Sequence, residues 1–297
     1  IIYCVCMFGL NMMLAPVIAT LSDRVPDDMR ATMSAFNSAG TTVGSSLGTL
    51  IGAKFITIQI PGFATAGILM GLAGIATIVV WPREKSSKDL PPVEGGFKEF
   101  LASFRPPMHN ARDFWLAFTG RTLLIFSYYM ILNYQLYILE SCIGQSKTAA
   151  AATISIMSVV TMVVALIGSL TSGAISDKLG RRKIPVNIAS LLLAIGYLLP
   201  WVMKTSFSMI LFAGFAGLGY AVYGAVDQAL NVDVLPNKEE AGKDLGILNI
   251  ATTLGQTAGP IVTSALVGMA GYNLVFPVAI AFAVLACIFI QMIRSVK

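Results

Sequence analysis

Long apolar stretches, each nearly free of charge and set apart by short polar clusters, dominate this chain. They run approximately 1–21, 33–55, 63–81, 114–139, 149–175, 184–203, 207–232, 245–270 and 272–293. Each approaches the roughly 20 residues a helix needs to cross the hydrocarbon core of a bilayer. A domain folded in water carries about 25% charged residues, whereas this chain is 12% charged and 56% hydrophobic, with a mean hydropathy of +0.77. Barrel strands would alternate polar and apolar residues over about ten positions, and no such alternation is present. The expectation is an all-α membrane protein with nine transmembrane helices.

Basic residues sort by side. Taking the connections alternately from Arg24 and Arg30 onward, one set holds 16 lysines and arginines, while the other holds only Lys54, Lys147 and Lys204; Arg121 lies inside a span. Cytoplasmic connections carry the positive excess, so the richer set, with Arg294 and Lys297 at the C-terminus, is expected to be cytoplasmic. The net charge of +5 thus reflects orientation and implies no nucleic-acid partner.

The longest connection, 83–113, holds Pro91, Pro92, Pro106 and Pro107 among charges of both signs, the composition of a cytoplasmic linker. Within it Phe97, Phe100, Leu101 and Phe104 fall at i, i+3, i+4 and i+7. That spacing suits a short amphipathic helix, lying on the membrane surface or packed beneath the bundle. The single histidine, His109, is in this linker, and Cys4, Cys6, Cys142 and Cys287 form no cluster, so neither a metal centre nor a disulfide is expected. The sequence has no G-x-x-x-x-G-K-[ST] or H-E-x-x-H motif, and its G-x-S-x-G match, Gly44-Ser45-Ser46-Leu47-Gly48, lies inside an apolar span. An ATP-driven pump and a membrane enzyme are therefore disfavoured, and no cofactor is expected.

An internal repeat organises the spans. Thr41-Thr42-Val43-Gly44-Ser45-Ser46-Leu47-Gly48 aligns with Thr252-Thr253-Leu254-Gly255-Gln256-Thr257-Ala258-Gly259, and upstream Asp23-Arg24-Val25-Pro26 aligns with Asp233-Val234-Leu235-Pro236. A repeated order of helix, Asp-x-x-Pro loop and glycine-rich helix pairs the first three spans with the last three. Spans four to six then have no counterpart, and Ile1 opens within an apolar run. The expectation is a chain lacking three N-terminal spans of a six-plus-six arrangement. Residues 1–82 would form a partial N-terminal half-bundle of three helices, 83–113 the linker, and 114–297 a six-helix half-bundle.

Between the fifth and sixth spans lies Gly173-Ala174-Ile175-Ser176-Asp177-Lys178-Leu179-Gly180-Arg181-Arg182-Lys183. Gly180 permits a tight turn, the basic cluster suits anionic lipid at the inner leaflet, and Asp177 can face the N-terminus of a neighbouring helix. A plain positively charged loop would explain the basic residues but not the spacing of the aspartate and glycine. The segment resembles the G-x-x-x-D-K/R-x-G-R-R/K loop of the major facilitator superfamily, and the repeat and central linker extend that resemblance over the whole chain.

The resemblance implies two helix bundles rocking about a site near the bilayer midplane, in a monomer of the plasma membrane. It also implies a gating loop of Gly173, Asp177, Lys178, Gly180, Arg181 and Arg182, whose aspartate latches the halves when the cytoplasmic side is closed. The latch target by pseudo-symmetry is the start of the second span, near Arg30.

Two charges lie within apolar spans, where burial in lipid costs at least ~2.5 kcal/mol. Arg121 stands eight residues beyond Asp113, about 12 Å deep, and Asp227 six residues before Asp233, about 9 Å deep. Their similar depth makes them candidates for a pair, and the resemblance places their spans around the central cavity. Tyr220, Tyr223 and Asp227 share one helical face, and Arg121, Tyr128 and Gln135 recur every seven residues. Tyrosines, amides and one charge pair suit a sugar-like solute or an amphipathic drug or metabolite, with protons as a candidate coupling ion at Asp227. A purely structural ion pair is the alternative.

The polar stripes Asn249, Thr253, Gln256 and Asn37, Thr41 either line the pathway or join helices. Gly40, Gly44, Gly48 and Gly52 form a groove for close helix packing. They match part of the G-x-x-x-G-P-x-x-G-G signature of proton-coupled drug antiporters in the superfamily, but Thr49 replaces its proline and Ala53 its last glycine. The leading expectation is secondary transport of a small solute by alternating access. The alternatives are a truncated chain that transports nothing and an integral membrane enzyme.

Overall fold

The computed structural model describes Gly9 and residues 30–55, 59–80, 105–108, 111–179, 183–236 and 241–295. The expected span at 1–21 apart from Gly9, most of the linker with His109, and Gly180, Arg181 and Arg182 lie outside the described residues, as do the side chains of Arg30, Gly173, Asp177 and Lys178. Regular structure among the described residues is helical throughout. The long helices are α1 (Arg30–Lys54), α2 (Gln59–Val80), α3 (Arg112–Leu132), α4 (Lys147–Leu179), α5 (Lys183–Met203), α6 (Ser206–Asp233), α7 (Ala241–Ala270) and α8 (Val275–Gln291). Six candidate membrane spans fall on α2, α3, α4, α5, α6 and α8. Glycine, serine, threonine and asparagine dilute the hydropathy of α1 and α7, the two helices that carry the repeat.

Packing follows two triplets. α6 lies between α4 and α5, and α3 lies between α7 and α8; contacts of α5 with α8 and of α3 with α6 join the triplets. α3 is apolar on nearly every side, the pattern of a helix enclosed by others, and Phe114, Leu124, Met130 and Ile131 are fully buried on it. α1 packs along α4 and buries Ser46. Outward-facing Ile156, Val163, Ile167, Leu191 and Val202 are exposed, an apolar surface that lipid would cover. α4 has 33 residues and is about 50 Å long at 1.5 Å per residue, well beyond the ~30 Å hydrocarbon core.

The contact between α3 and α7 depends on glycine. A Cβ at Gly255 would stand 2.9 Å from both the Phe126 nitrogen and the Thr122 oxygen, and one at Gly259 would stand 3.0 Å from the Phe126 oxygen. Only a residue without a side chain lets two backbones approach so closely. Thr263 reinforces the contact, donating to the Met130 carbonyl at 3.1 Å. The repeat counterparts on α1, Gly44 and Gly48, have no heavy atom within 4 Å of such a Cβ.

The fourth expected span, 114–139, is not one continuous helix. α3 stops at Leu132, the Tyr134 N–H turns back to the Ile131 carbonyl at 3.0 Å, and a short helix (Gln135–Tyr137) runs into a π-helical turn (Ile138–Cys142). The seven-residue register of Arg121, Tyr128 and Gln135 assumed an unbroken helix, and the tightened turn interrupts it before Gln135.

Polar clasps fasten both ends of the bundle. At one end Gln145 Nε2 donates to Ser206 Oγ at 2.6 Å and to Thr153 Oγ1 at 3.1 Å, tying the approach to α4 to the start of α6. At the other, Asp113 Oδ2 accepts from the backbone N–H groups of Arg294 (3.0 Å) and Ser295 (2.7 Å), while Lys183 Nζ donates to the Ile293 carbonyl. The ammonium on α5 answers the carbonyls and negative dipole charge that accumulate at the end of α8, while the carboxylate on α3 takes the N–H groups just beyond that end. Trp115 Nε1 donates to the Pro107 carbonyl at 3.1 Å, drawing the end of the linker onto α3.

Candidate functional site

Arg121 and Asp227 meet. Nη1 of Arg121 lies 2.9 Å from Asp227 Oδ2, with both side chains almost wholly buried (7% and 6% exposed). α3 carries the guanidinium on a side that α6 and α7 cover, and the glycine contact draws α7 against it. Arg121 Nε donates to Thr252 Oγ1 at 3.0 Å and Nη2 to Asn249 Oδ1 at 3.4 Å. One guanidinium therefore joins α3, α6 and α7. Removing either partner would leave the other as an uncompensated buried charge, typically costing about 3–5 kcal/mol.

Around Asp227 the polar groups are incompletely matched. Asn231 Nδ2 donates to the same oxygen, Oδ2, at 3.2 Å. Asp227 Oδ1, Asn231 Oδ1 and the Tyr223 hydroxyl are buried without a hydrogen-bond partner. Tyr223, Asp227 and Asn231 are spaced by four residues and lie on one face of α6. Buried polar atoms are nearly always partnered, which sets these three, in one stripe on α6, apart from the surrounding core.

An aromatic wall stands beside the pair. The rings of Tyr128 and Tyr220 stack at a centroid distance of 4.2 Å, and Tyr129 meets Tyr220 edge-on at 6.5 Å. Gln256 Nε2 donates to the Tyr129 hydroxyl at 3.1 Å, tying this wall to α7.

Of the residues singled out in the sequence, Arg121, Asp227 and Asn249 converge directly, with Tyr223 on the adjoining face. Tyr128, Tyr220 and Gln256 form or brace the aromatic wall. Gln135 stands beyond the break after α3, away from the register of Arg121. Thr41 bonds the Asn37 carbonyl of its own helix at 2.9 Å, and Thr253 is exposed. Sequence reasoning passed over Tyr129, Asn231 and Thr252. Asn231 was detectable as the residue four beyond Asp227, and Thr252 as the neighbour of the stripe at Asn249, Thr253 and Gln256.

The described helices thus pack as a bundle around a buried charge pair bordered by tyrosines. The chain belongs to the Major Facilitator Superfamily, whose family profile matches residues 1–139 and 121–296. Among solved structures it resembles the human organic anion transporter MFSD10 (TETRAN), with 18% identity and a TM-score of 0.52 over 63% of this chain; the chain spans 48% of that protein's length. It also resembles a bacterial homologue of the human lysosomal transporter Spinster in an inward-facing, occupied conformation, with 16% identity and a TM-score of 0.56 over 94% of this chain and 72% of the other. At these identities the likeness is one of fold. No curated protein sequence matches the chain.

Proposed function

We propose that the chain carries out secondary active transport of a small solute by alternating access, with Arg121 and Asp227 at its coupling centre. The observation that carries this reading is the ion pair of 2.9 Å, buried between α3 and α6 and bordered by unpartnered oxygens. Arg121, Tyr223, Asp227 and Asn249 would contact solute or proton. Tyr128, Tyr220 and Gln256 would shape a wall for a ring-bearing or amphipathic solute, and Gln135 would lie outside this inner shell. Alternating access needs two bundles: here 1–82 contributes three spans to one, 114–297 supplies six to the other, and 83–113 links them.

In the topology set by the basic residues, the linker and C-terminus are cytoplasmic and the protein acts as a monomer in the plasma membrane. The gating loop Gly173, Asp177, Lys178, Gly180, Arg181 and Arg182 then lies against anionic lipid at the inner face. The packing of α1 along α4 supports a latch between Asp177 and the start of α1. Transport activity in the family supports a non-enzymatic role.

The test is two-sided access. With the native cysteines replaced, Asn249→Cys should react with impermeant thiol reagents added from either side of the membrane. Arg121→Ala should shift the balance between the two sides, and Arg121→Asp combined with Asp227→Arg should restore it in part. Labelling from one side only, in every background, would overturn the reading.

A further inference from the structure

The orphaned oxygens and the charge balance around Arg121 narrow the solute class. Arg121 is the one buried cation among the described residues, and three of its five N–H donors are taken by Asp227, Asn249 and Thr252. Asp227 engages it through Oδ2 alone, whereas a guanidinium can hold a carboxylate through two parallel bonds. One N–H on each terminal nitrogen is left for another acceptor, and Asp227 Oδ1 is left without a donor.

We propose that this site takes an organic anion together with a proton: the solute carboxylate replaces Asp227 on Arg121 while Asp227 is protonated at Oδ1. The inference rests on the transport reading above and names its solute class. The ion pair sums to zero, and burying net charge is costly. A cationic solute, or a neutral solute with a proton, would leave the site at +1. An anion alone would leave it at −1. An anion with one proton keeps zero, as a neutral solute alone would, but only the anion with its proton uses both the free guanidinium N–H groups and the unpartnered Asp227 Oδ1.

The proton comes from water on the side to which the site is open, and it returns to water when the anion leaves. While it is held, the new O–H shares its face of α6 with the Asn231 side-chain amide oxygen and the Tyr223 hydroxyl, buried atoms without a partner that would accept it. The stacked rings of Tyr128 and Tyr220 offer an apolar wall to the body of an amphipathic acid.

Of the other titratable groups, α6 carries Tyr220, Tyr223 and Asp233, and Tyr223 stands one turn from Asp227. On α3, Tyr128 and Tyr129 pack on Tyr220. α7 adds Asp244, buried in its first turn and about 12 Å along the helix from Thr252. α5 adds Tyr197, hydrogen-bonded to Ser127 at 3.3 Å, and α4 has no titratable residue between Lys147 and Asp177.

The experiment follows thermal unfolding of the purified full chain in detergent, titrated with formate, methylammonium and glycerol at constant chloride. Asp227→Ala should be stabilised by formate, which fits where the carboxylate was removed, and not by methylammonium or glycerol. Adding Arg121→Gln should erase that response. In the unaltered protein, the formate concentration for half the effect should fall about tenfold for each unit the pH is lowered, because one proton binds with each anion. Asp227→Asn, which imitates the neutral acid and keeps its shape, should bind formate without that pH dependence.

If Asp227→Ala does not fold, Asp227→Asn carries the test. A folded Asp227→Asn protein indifferent to formate, or responding equally to methylammonium, overturns the proposal. If two-sided labelling of Asn249→Cys persists in that case, only the solute class is wrong; if labelling is one-sided, the transport reading itself fails.

Discussion

Gly255→Ala sets the packing of α7 on α3 against intrinsic helix preference. Alanine is favoured over glycine inside a helix by about 0.8–1 kcal/mol, so by propensity alone the substitution stabilises. The new methyl would lie 2.9 Å from two backbone atoms of α3 and 3.0 Å from the Ile125 Cβ. Relief requires a shift of roughly 0.5–1 Å to reach ordinary contact, and no rotamer change can supply it, which puts the strain toward the upper part of the ~1–3 kcal/mol range for overpacking. The net expectation is a loss of about 1–2 kcal/mol.

The same displacement would stretch the bonds from Arg121 to Thr252 and Asn249, already 3.0 and 3.4 Å. Gly44→Ala is the control, because its Cβ meets nothing within 4 Å, and it should stabilise by about 1 kcal/mol. Thermal unfolding of the two variants in one detergent should separate them by about 2–3 kcal/mol. If Gly255→Ala is as stable as Gly44→Ala, the close approach does not determine how α7 packs.

Three further outcomes are expected. Asp113→Ala should expose the amides of Arg294 and Ser295, raising their hydrogen-exchange rates about tenfold for a loss of ~1.4 kcal/mol, and unchanged exchange would show that the α8 clasp is idle. Asp177→Asn should favour a cytoplasm-open state without affecting membrane insertion, read as faster labelling of Asn249→Cys from the cytoplasmic side; equal rates would exclude a latch. A cysteine placed at Ser87 should resist impermeant reagents added outside intact cells, and rapid labelling there would invert the expected topology.

Much of the bundle was legible because lipid imposes a length and an apolarity that soluble folds do not. The ion pair was legible for a related reason: an isolated charge in an apolar run must find its opposite, and depth along the helix nearly determines which one. The break at Asn133 and Tyr134 was not legible, since neither glycine nor proline marks it, and it interrupts the seven-residue register before Gln135. Thr252 was missed because a stripe counted at Asn249, Thr253 and Gln256 takes no account of how α7 rotates when its glycines press on α3. Asn231 was passed over as a span end, although its amide completes the stripe that begins at Tyr223.

The length of α4 also has a mechanical consequence. A rod about 50 Å long that is fastened near its start, where Gln145 grips Thr153 and Ser206, and packed against α6 and α1, tilts only together with those helices. A tilt of about 10° sweeps the far tip of such a rod through roughly 9 Å, while points near the fastened end barely move. Asp177 rides at that far tip, two residues from the end of the helix. A small tilt of that packed group would thus be magnified into a displacement large enough to make or break a contact at the opposite surface.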